Sequence, residues 1–587
     1  MAETLADYVA LHQPVPERML AWQLYGAGFE NLGKNGQPVE IPVPVPADDE
    51  IVVRVDAVGL CFSDVKLIKG GSSHPRILGR DLKRNPTIPG HEVSVTVVKV
   101  GRKRGGTFSV GQRYIIQADV FYRGENAAFG YAIPGGFAQY ALIDKRMLEG
   151  DEGCYLLPMQ KRLGYAEAAL IEPWACVVAA YRIVDRTGTR PRGRLLVVIW
   201  RGAEKLDAIS ELSSLLRSSA RPSSLFLSDD DGKRADEMMK IARESGIEGT
   251  RLPLPAELSD TPKLSVDIPD GFDDIVLIAP PSCEVLDKFI PFLGTGGMLN
   301  VVVTRGLRGT ITLDAGAVHY RGVRIVGSDR GTLLQQYRAN DRRDLKPAGA
   351  AWFVGAGGPM GQMHVQRAIA ATNPSQTIVA TDVDDARLHY LESRFSQIAE
   401  KKQIKLCVLN PGGFSKDSAL AEKLSELTGS RGFDDIILLA PVAPAIEQGV
   451  RHAAHRAIVN VFAGVPIGTH VRINIDLIFN SCRIIGSSGS RVQDLQHTLE
   501  LTEQGLISPN ESVAAIGGMR ALRDGIEAVQ KGTFSGKVVI YPHIVDMLLT
   551  PLNELHNTMP SIAKEVAKGN LWTREAERAL LEEKLVQ

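Results

Sequence analysis

The chain has 587 residues, 44% of them hydrophobic, and its 67 basic and 68 acidic side chains leave a net charge of −1. This length predicts three or more structural units. The neutral balance gives no electrostatic footprint for nucleic acid or an anionic membrane, and no apolar run has the length of a membrane helix. The N-terminus lacks the pattern of a secretory signal, and six scattered cysteines favour a reducing, cytoplasmic setting.

The part of the chain from about residue 19 to residue 140 is predicted to be rich in β-structure. Short apolar strands at 51–55, 93–100 and 114–116 are separated by Gly, Pro and Asp. These breaks are typical of a domain built from short strands.

Two later segments alternate strands with helices. The first covers 195–326 and the second 351–485, with a polar segment at 335–346 predicted to be a linker or an exposed helix. Strands alternating with helices favour parallel βαβ units. Residues after 493 are predicted to be largely helical, with one further strand at 537–541 and a charged helical tail suited to packing or oligomer contacts.

The two alternating segments are copies of one another. Three stretches match, and the offset between the members of each pair drifts along the chain, which indicates loop insertions between matched strands. The matched stretches are LFLSD 225–229 with IVATD 378–382, FDDIVLIAP 272–280 with FDDIILLAP 433–441, and RIVGS 324–328 with RIIGS 483–487. We call them the first copy and the second copy.

The second copy carries a glycine-rich turn between a predicted strand and a predicted helix. Such a turn lets the backbone approach a pyrophosphate at a helix N-terminus. Asp382 ends the next predicted strand, and its distance from the turn suits a carboxylate that binds the adenosine ribose and favours NAD over NADP. The alternative is a tight βα turn with an exposed aspartate. The predicted cofactor-binding residues are Gly355, Gly357, Gly358, Pro359, Met360, Gly361 and Asp382.

The first copy has lost this turn. Trp200, Gly202 and Glu204 occupy the equivalent strand-to-helix connection, where the indole is bulky and the carboxylate would repel a diphosphate. We therefore expect no dinucleotide to bind there in the usual way, and residues 229–231 to form a solvated turn.

Three dispersed residues form a possible metal-ligand set. Cys61 is followed by His91 within the β-rich part, and Glu172 lies further along the chain. Thiolate, imidazole and carboxylate together suit a catalytic zinc with one open position. Each residue alone has a plain structural role, but their joint occurrence favours a metal site.

Six motifs give this sequence a clear resemblance to the zinc-dependent medium-chain alcohol and polyol dehydrogenases. The resemblance is strongest to the sorbitol, threonine and sugar-phosphate branch and covers about three quarters of the chain, excluding 195–325 and the tail. The motifs are GLCFSD 59–64, PGHE 89–92, GGFAQYALI 135–143, IEPWACVV 171–178, the glycine-rich turn with Asp382, and GKVVI 536–540.

The resemblance implies an α/β fold in which a GroES-like β-rich catalytic domain is joined to two tandem Rossmann-type doubly wound parallel sheets, the first degenerate. The expected order is a GroES-like part, a degenerate Rossmann-like domain, a linker, an NAD-binding Rossmann domain, and a return to the catalytic domain with a helical tail. The corresponding ranges are 1–190, 191–330, 331–348, 349–485 and 486–587.

The resemblance also implies the roles of the site residues. Cys61 and His91 would bind zinc, with Glu92 or Glu172 as the third ligand and the other glutamate acting nearby. Ser63 would relay the substrate proton. Asp64 would support the site, and Cys176 is a distant fourth candidate ligand. The sequence has no cysteine between His91 and residue 145, so we expect no structural zinc.

The implied reaction is hydride transfer between NAD and a secondary alcohol of a polyol, sugar or sugar phosphate. Two alternatives stay open: a zinc-dependent carbohydrate epimerase that retains NAD, and a non-catalytic NAD-binding scaffold or sensor. We expect a homo-oligomer that acts on a small molecule. Pocket residues are expected from loops such as 121–123, where Arg123 could meet a phosphate, and 129–134.

Overall fold

The computed structural model describes residues 4–160, 162–182, 186–204, 206–253, 268, 270–304, 306–337, 342 and 344–585. Three large sheets, one of eight strands and two of six, organise these residues. The strands in chain order are β1 Arg18–Ala21, β2 Val39–Pro42, β3 Ile51–Gly59, β4 Glu92–Val100, β5 Arg113–Ile116, β6 Phe121–Tyr122, β7 Glu125–Asn126, β8 Tyr140–Ile143, β9 Leu156–Pro158, β10 Arg194–Ile199, β11 Ser224–Asp229, β12 Glu248–Arg251, β13 Phe272–Ile278, β14 Leu293–Val302, β15 Thr310–Asp314, β16 Arg324–Ser328, β17 Ala350–Val354, β18 Thr377–Thr381, β19 Lys405–Leu409, β20 Phe433–Leu438, β21 Ala453–Val461, β22 His470–Asn474, β23 Arg483–Gly486, β24 Val513–Gly518, β25 Lys537–Tyr541 and β26 Thr550–Pro551.

Helices cover the sheets and form the C-terminal tail. None of the helices in the described ranges is both long and apolar enough to cross a bilayer. The helices are α1 Leu5–Ala10, α2 Phe62–Gly70, α3 Lys145–Leu148, α4 Tyr165–Ala169, α5 Ile171–Ala179, α6 Asp207–Leu216, α7 Gly232–Glu244, α8 Cys283–Phe289, α9 Ala315–Arg321, α10 Pro359–Ala370, α11 Asp385–Lys401, α12 Asp417–Thr428, α13 Ala443–Arg451, α14 Asp476–Phe479, α15 Val492–Glu503, α16 Leu522–Lys531, α17 Leu555–Thr558, α18 Pro560–Ala563 and α19 Arg574–Lys584.

The eight-stranded sheet is assembled from both ends of the chain. Strands β3, β4, β5, β8 and β9 come from the N-terminal part, whereas β24, β25 and β26 come from the C-terminal part. Strand β25 pairs antiparallel with the end of β3, with Val539 opposite Gly59. The C-terminal part is largely helical, as predicted, but the prediction of a single strand there was wrong, because β24 and β26 extend the same sheet. The sequence of β24, VAAIGG, is dominated by small residues with little strand preference of their own.

Both copies are doubly wound parallel sheets with the same strand order. The first copy runs β12-β11-β10-β13-β14-β16 and the second runs β19-β18-β17-β20-β21-β23. Numbered within each copy, both are the 3-2-1-4-5-6 order of a dinucleotide-binding fold. The predicted α/β fold class is therefore confirmed, while the domain boundaries drawn from the sequence stay predictions. The predicted linker begins as a short 3-10 turn, Leu334–Tyr337, whose Tyr337 is buried, and residues 338–341 and 343 lie outside the described ranges.

In both copies, the second aspartate of the repeated Phe-Asp-Asp-Ile sequence binds the segment that precedes the first strand of the sheet. In the first copy, Asp274 Oδ2 accepts hydrogen bonds from Arg186 Nη1 at 2.9 Å and from the backbone N–H of Arg190 at 2.8 Å. In the second copy, Asp435 Oδ2 accepts from Arg342 Nη1 at 2.6 Å. The backbone N–H of Lys346 donates to the same oxygen at 2.8 Å. A buried carboxylate thus has the same two donors in both copies.

Asp435 should make the stability of the second copy depend on pH. Burial raises the pKa of Asp435 to about 6, and Arg342 opposes this rise. Between about pH 4 and pH 6 the folded chain therefore keeps a proton that the unfolded chain has released. The Asp435 contribution to the free energy of unfolding falls as the pH rises through this window and is constant above it.

We expect the variant Asp435→Asn to remove this component. The midpoint of thermal unfolding should then fall less than that of the wild type between about pH 4 and pH 6. The exposed Asp385→Asn provides the control, because it should keep the wild-type profile. Parallel profiles for the wild type and Asp435→Asn would contradict the assignment.

A local two-fold axis relates the two copies. Strands β15 and β22 pair antiparallel, with Thr310 opposite Asn474 and Thr312 opposite Arg472. Since Thr312 and Arg472 occupy equivalent positions in the two copies, this contact is isologous, like the interface of a symmetric dimer. Apolar residues of both copies, including Ile311 and Val471, share one core. The predicted homo-oligomer stays a prediction, and any such contact would use a surface other than the β15–β22 pair.

Candidate functional site

The metal-ligand candidates meet where β3 and β4 lie side by side. Gly59, at the end of β3, pairs with Glu92, at the start of β4, so the residues that flank both positions are neighbours. The Sγ of Cys61, a ring nitrogen of His91 and a carboxylate oxygen of Glu92 all lie within 4.8 Å of one another. Among the described residues, this is the group of Cys, His and acidic side chains close enough to share one metal ion. Its place between the two strands follows from an antiparallel register.

Asp64 orients the histidine. It is buried in the first turn of α2 and accepts hydrogen bonds from the backbone N–H of Cys61 at 3.0 Å and of Gly90 at 3.2 Å. Its Oδ1 also lies 3.1 Å from Nδ1 of His91. Burial, the largest single effect, lowers the pKa of His91, but Asp64, Tyr131 and Cys61 together raise it more, so that the net shift is strongly upward. Because the carboxylate holds Nδ1–H, Nε2 of the neutral imidazole is the nitrogen left for a metal.

Glu92 has one oxygen paired and one oxygen without a partner. Its Oε1 lies 2.6 Å from Nζ of Lys537. Its Oε2 is buried and has no hydrogen-bond partner in the described part of the chain. A methyl group at Gly59 would lie 2.3 Å from this oxygen, so the glycine makes room for the carboxylate. A buried, unpaired carboxylate oxygen is costly, and a metal ion beside Cys61 and His91 would satisfy it.

Lys537 is a site residue that the sequence analysis missed. It lies on β25, its side chain is only 4% exposed, and its Nζ donates to the carbonyl of Leu60 at 2.8 Å as well as to Glu92. Burial, the largest single effect, lowers the pKa of Lys537, but Glu92, Cys61 and Glu172 together raise it more, so that the net shift is upward. A lysine within the apolar strand KVVIY was the available signal, since buried lysines are almost always paired.

Glu172 and Ser63 lie beside this group. Glu172 is buried in the first turn of α5, outside the group whose ligand atoms lie within 4.8 Å of one another. Burial raises the pKa of Glu172 to about 7, with Glu92 adding to the shift and His91 opposing it. Oγ of Ser63 is 3.5 Å from Sγ of Cys61, and Ser63 is half-buried. Cys176 lies one turn beyond Glu172 on α5, where burial strongly raises its pKa.

One of the two predicted pocket loops reaches the site. In the loop 129–134, the buried ring of Tyr131 packs 5.7 Å from the ring of His91, centroid to centroid. The pocket role of 121–123 stays a prediction. Arg123 is exposed in the turn between β6 and β7, and its guanidinium lies over the ring of Tyr122.

Two further polar side chains, those of His74 and Arg76, lie beside the ring of Tyr131. The ring of His74 packs 5.3 Å from that of Tyr131, and burial lowers the pKa of His74 to about 4. Nη1 of Arg76 lies 2.8 Å from Oδ1 of Asp119, so this arginine already has an acidic partner.

The glycine-rich turn opens toward the metal-ligand group. Gly358 caps the N-terminus of α10 and faces open space, with no atom within 4 Å of an added Cβ. Gly355, Gly358 and Asp382 line a cavity of about 1090 Å³. Pro359 and Met360 line a neighbouring cavity of about 370 Å³ together with Cys61. The side chain of Arg387 borders both cavities, so the cavity beside the turn and the cavity beside Cys61 are neighbours.

Asp382 keeps its place at the end of β18 beside the turn. Its Oδ2 accepts a hydrogen bond from the backbone N–H of Gly357 at 2.8 Å, and its Oδ1 accepts from that of Asp384 at 3.1 Å. Arg387 directs its guanidinium elsewhere and donates to the carbonyl of Gly532 at 2.7 Å. The carboxylate is therefore half-exposed and free of a basic partner in the described residues.

The equivalent aspartate of the first copy is fully occupied. Both oxygens of Asp229 accept from Arg234, at 2.7 and 2.6 Å, and the Asp229 side chain is completely buried. The expectation of a solvated turn was therefore wrong for Asp229. Oε1 of Glu204 accepts from the backbone N–H of Gly202 at 3.2 Å, which occupies a donor that a phosphate would need. Arg234 and Arg387 occupy equivalent positions in the two copies, but Arg234 binds its aspartate whereas Arg387 donates to Gly532.

A split β-rich domain with a Cys–His–Glu group, joined to doubly wound sheets, defines the medium-chain dehydrogenase class of folds. The alcohol dehydrogenase GroES-like domain family matches residues 47–149. This match, together with the similarity to proteins named as polyol dehydrogenases, supports the superfamily of zinc-dependent medium-chain alcohol and polyol dehydrogenases.

Two relatives align over nearly the whole chain. Uncharacterized protein YggP of Escherichia coli strain K12 is 22% identical over 552 residues, which cover 92% of both chains. Mannitol-1-phosphate 5-dehydrogenase of Aliivibrio fischeri is also 22% identical, over 92% of this chain and 93% of its own. L-sorbose 1-phosphate reductase of Klebsiella pneumoniae is 27% identical over 49% of this chain and 71% of its own. The first two alignments are long enough to include most of both copies.

Proposed function

We propose that the protein is a zinc-dependent oxidoreductase that transfers a hydride between NAD and a secondary alcohol of a polyol, sugar or sugar phosphate. The observation that carries this proposal is the buried, unpaired Oε2 of Glu92 beside Cys61 and His91, where Cys61 lines a cavity together with Pro359 and Met360 of the glycine-rich turn. The names of the relatives, which include a mannitol-1-phosphate dehydrogenase and an L-sorbose 1-phosphate reductase, support the substrate class.

The donor set fits zinc. Cys61, Nε2 of His91 and Oε2 of Glu92 would hold the ion, and Glu172 would lie next to it. When bound, zinc would supply a Lewis acid that polarises the carbinol oxygen. Lys537 would keep the second oxygen of Glu92 paired, so that the carboxylate presents Oε2 alone.

The protein's own groups would manage the proton and the orientation of the substrate. Ser63, whose Oγ lies 3.5 Å from Sγ of Cys61, would accept the hydroxyl proton and pass it toward the cleft. Asp64 would fix the tautomer of His91. The rings of Tyr131 and His74 would exclude water from one side.

The second copy would hold the cofactor. Gly355, Gly357, Gly358 and Gly361 would bring the backbone and the N-terminus of α10 to the pyrophosphate. Asp382 would accept hydrogen bonds from the adenosine ribose hydroxyls, which favours NAD. In the first copy, Arg234 binds the carboxylate of Asp229, and Glu204 accepts from the backbone N–H of Gly202. Because neither group is left for a dinucleotide, we assign one dinucleotide to each chain.

The direct test is a substrate screen. Polyols, sugars and their phosphates would be tested with NAD and with NADP on protein whose zinc content is measured in the same preparation. We expect net NADH formation with at least one polyol or polyol phosphate. Zinc-loaded protein that reduces neither cofactor with any member of the panel would contradict the proposal. Net NADH formation also separates a dehydrogenase from an epimerase, which returns its hydride to the substrate.

The variant Asp382→Ala should raise the KM for NAD by about 10- to 100-fold and change the KM for NADP much less. The reason is the loss of charge-assisted hydrogen bonds to the ribose, each worth about 1.5–3 kcal/mol. Steady-state kinetics with both cofactors provide the measurement. Asp229→Asn is the matched control at the equivalent position of the first copy, and its KM for NAD should be unchanged. Equal losses in both variants would mean that the first copy also binds the cofactor.

A further inference from the structure

Three parts of the chain converge above Gly464, which follows β21 of the second copy. Nζ of Lys66, from α2 of the β-rich domain, lies 3.0 Å from the point that a Cβ on Gly464 would occupy. The hydroxyl of Tyr320, from α9 of the first copy, lies 2.9 Å from this point, and Nε2 of His319 lies 3.9 Å from it. We call Lys66, His319 and Tyr320 the junction cluster.

The junction cluster lies close to the proposed reaction centre. Helix α2 begins directly after Cys61, and Ser63 and Lys66 are three residues apart, which places them on one face of the helix. The axial rise between them is about 4.5 Å. Nζ of Lys66 is 5.9 Å from the ring centre of Phe62, and Phe62 lines the same cavity as Cys61. A substrate of several carbons held at Ser63 can therefore reach Lys66 with its far end.

The junction cluster offers positive charge and a hydroxyl without an acidic partner. Lys66 makes no ion pair within the described ranges, and its Nζ donates only a long hydrogen bond, at 3.4 Å, to the carbonyl of Gly464. Among the described residues, the hydroxyl of Tyr320 also has no hydrogen-bond partner, and Tyr320 is 44% exposed. By contrast, Arg76, beside the ring of Tyr131, is already paired with Asp119. An unpaired ammonium group beside a phenolic hydroxyl favours an anionic ligand, since charge-assisted hydrogen bonds are stronger than neutral ones.

His319 holds the first copy in place at this junction. Its Nδ1 lies 2.9 Å from the carbonyl oxygen of Val461 in the second copy, and its ring packs edge-on against that of Tyr320 at 4.4 Å between centroids. Burial lowers the pKa of His319, so the ring is neutral at physiological pH and donates its Nδ1 hydrogen to Val461. His319 is thus a positioning residue for Tyr320.

We propose that Lys66 and Tyr320 bind the phosphate group of a phosphorylated polyol or sugar whose carbinol lies at Cys61 and Ser63. This assignment rests on the proposed function and narrows its substrate class. The first copy, which has lost its dinucleotide-binding groups, then supplies a specificity residue for the substrate of the second copy. This explains why the chain keeps α9 packed against the second copy.

The test compares the variants Lys66→Met and Tyr320→Phe with the wild type. Calorimetric titrations on zinc-loaded protein with NAD would use a panel of five- and six-carbon polyol phosphates, each paired with its unphosphorylated polyol. We expect the wild type to bind at least one phosphate more tightly than its parent polyol. Each variant should weaken that binding by about tenfold or more and leave the parent polyol unchanged. The control is Lys69→Met, an exposed lysine of the same helix, which should bind as the wild type does.

Either of two results would overturn the assignment: no phosphate in the panel that binds more tightly than its parent, or phosphate affinity that is the same in both variants and the wild type. Turnover assays separate this assignment from the proposed function. Tight phosphate binding that depends on Lys66 and Tyr320, without any nicotinamide reduction, would contradict the proposed function but support the phosphate-binding site. Turnover of polyols without any preference for their phosphates would contradict the phosphate-binding site but support the proposed function.

Discussion

Replacing Cys61 by alanine is expected to remove bound zinc and to lower kcat/KM for the alcohol by on the order of 10³-fold or more. The thiolate is one of three donors within 4.8 Å of one another, and two remaining donors make a weak site. A metal that polarises the reacting oxygen contributes several kcal/mol of transition-state stabilisation, which corresponds to a loss of several powers of ten in rate. Elemental analysis and steady-state kinetics on the same sample provide the measurement.

The matched control for this experiment is Cys407→Ala. Cys407 lies on β19 at the far edge of the second copy and is a free thiol like Cys61. It should keep the zinc content and the activity of the wild type. A Cys61→Ala protein that retains both would show that the Cys–His–Glu group is not the catalytic centre.

The second large effect is expected from Lys537→Met, which should lower the free energy of unfolding by about 3–5 kcal/mol, because it leaves the buried carboxylate of Glu92 without its cation. An uncompensated buried charge is strongly destabilising. Chemical denaturation monitored by fluorescence gives the measurement. The loss should be larger after chelation, because zinc would also compensate Glu92.

A double variant separates charge from shape. Glu92→Gln combined with Lys537→Met removes both charges, so most of the stability should return. Zinc should not return, because Glu92 is a proposed ligand. If Lys537→Met alone unfolds at the wild-type denaturant concentration, with and without a chelator, Lys537 does not stabilise the folded chain by compensating Glu92.

Much of the candidate site could be predicted from the sequence because its residues stand in short local motifs. Cys61 lies two residues after Gly59 and His91 directly after Gly90, and the antiparallel pairing of β3 and β4 brings the two motifs together. The glycine-rich turn and Asp382 belong to one βαβ unit, so their proximity follows from local topology. The repeated FDDI phrase indicated the duplication, and its paired hydrogen bonds explain why both copies keep it.

The residues that were missed depend on contacts between distant parts of the chain. Lys537 reaches Glu92 from a strand near the opposite end of the chain, and the junction cluster joins three separate parts of it. The pairing of Asp229 with Arg234 was also beyond the local sequence. Asp229 and Asp382 are both followed by an arginine at the same spacing, but Arg387 donates to the carbonyl of Gly532 and lies beside Asp384 instead of binding Asp382.

If both proposals hold, the two copies would divide one task. Their β15–β22 contact reproduces within one chain the two-fold arrangement that symmetric dimers form between chains. The second copy would hold the cofactor, and the first would complete the substrate site with Tyr320 while His319 fixes the contact.

The most direct test of this account is the number of NAD molecules that bind to one chain, measured by calorimetric titration of zinc-loaded protein. The account predicts one NAD per chain, with affinity lowered in Asp382→Ala and unchanged in Asp229→Asn. Two NAD molecules per chain, or one whose binding depends on Asp229 and not on Asp382, would contradict it.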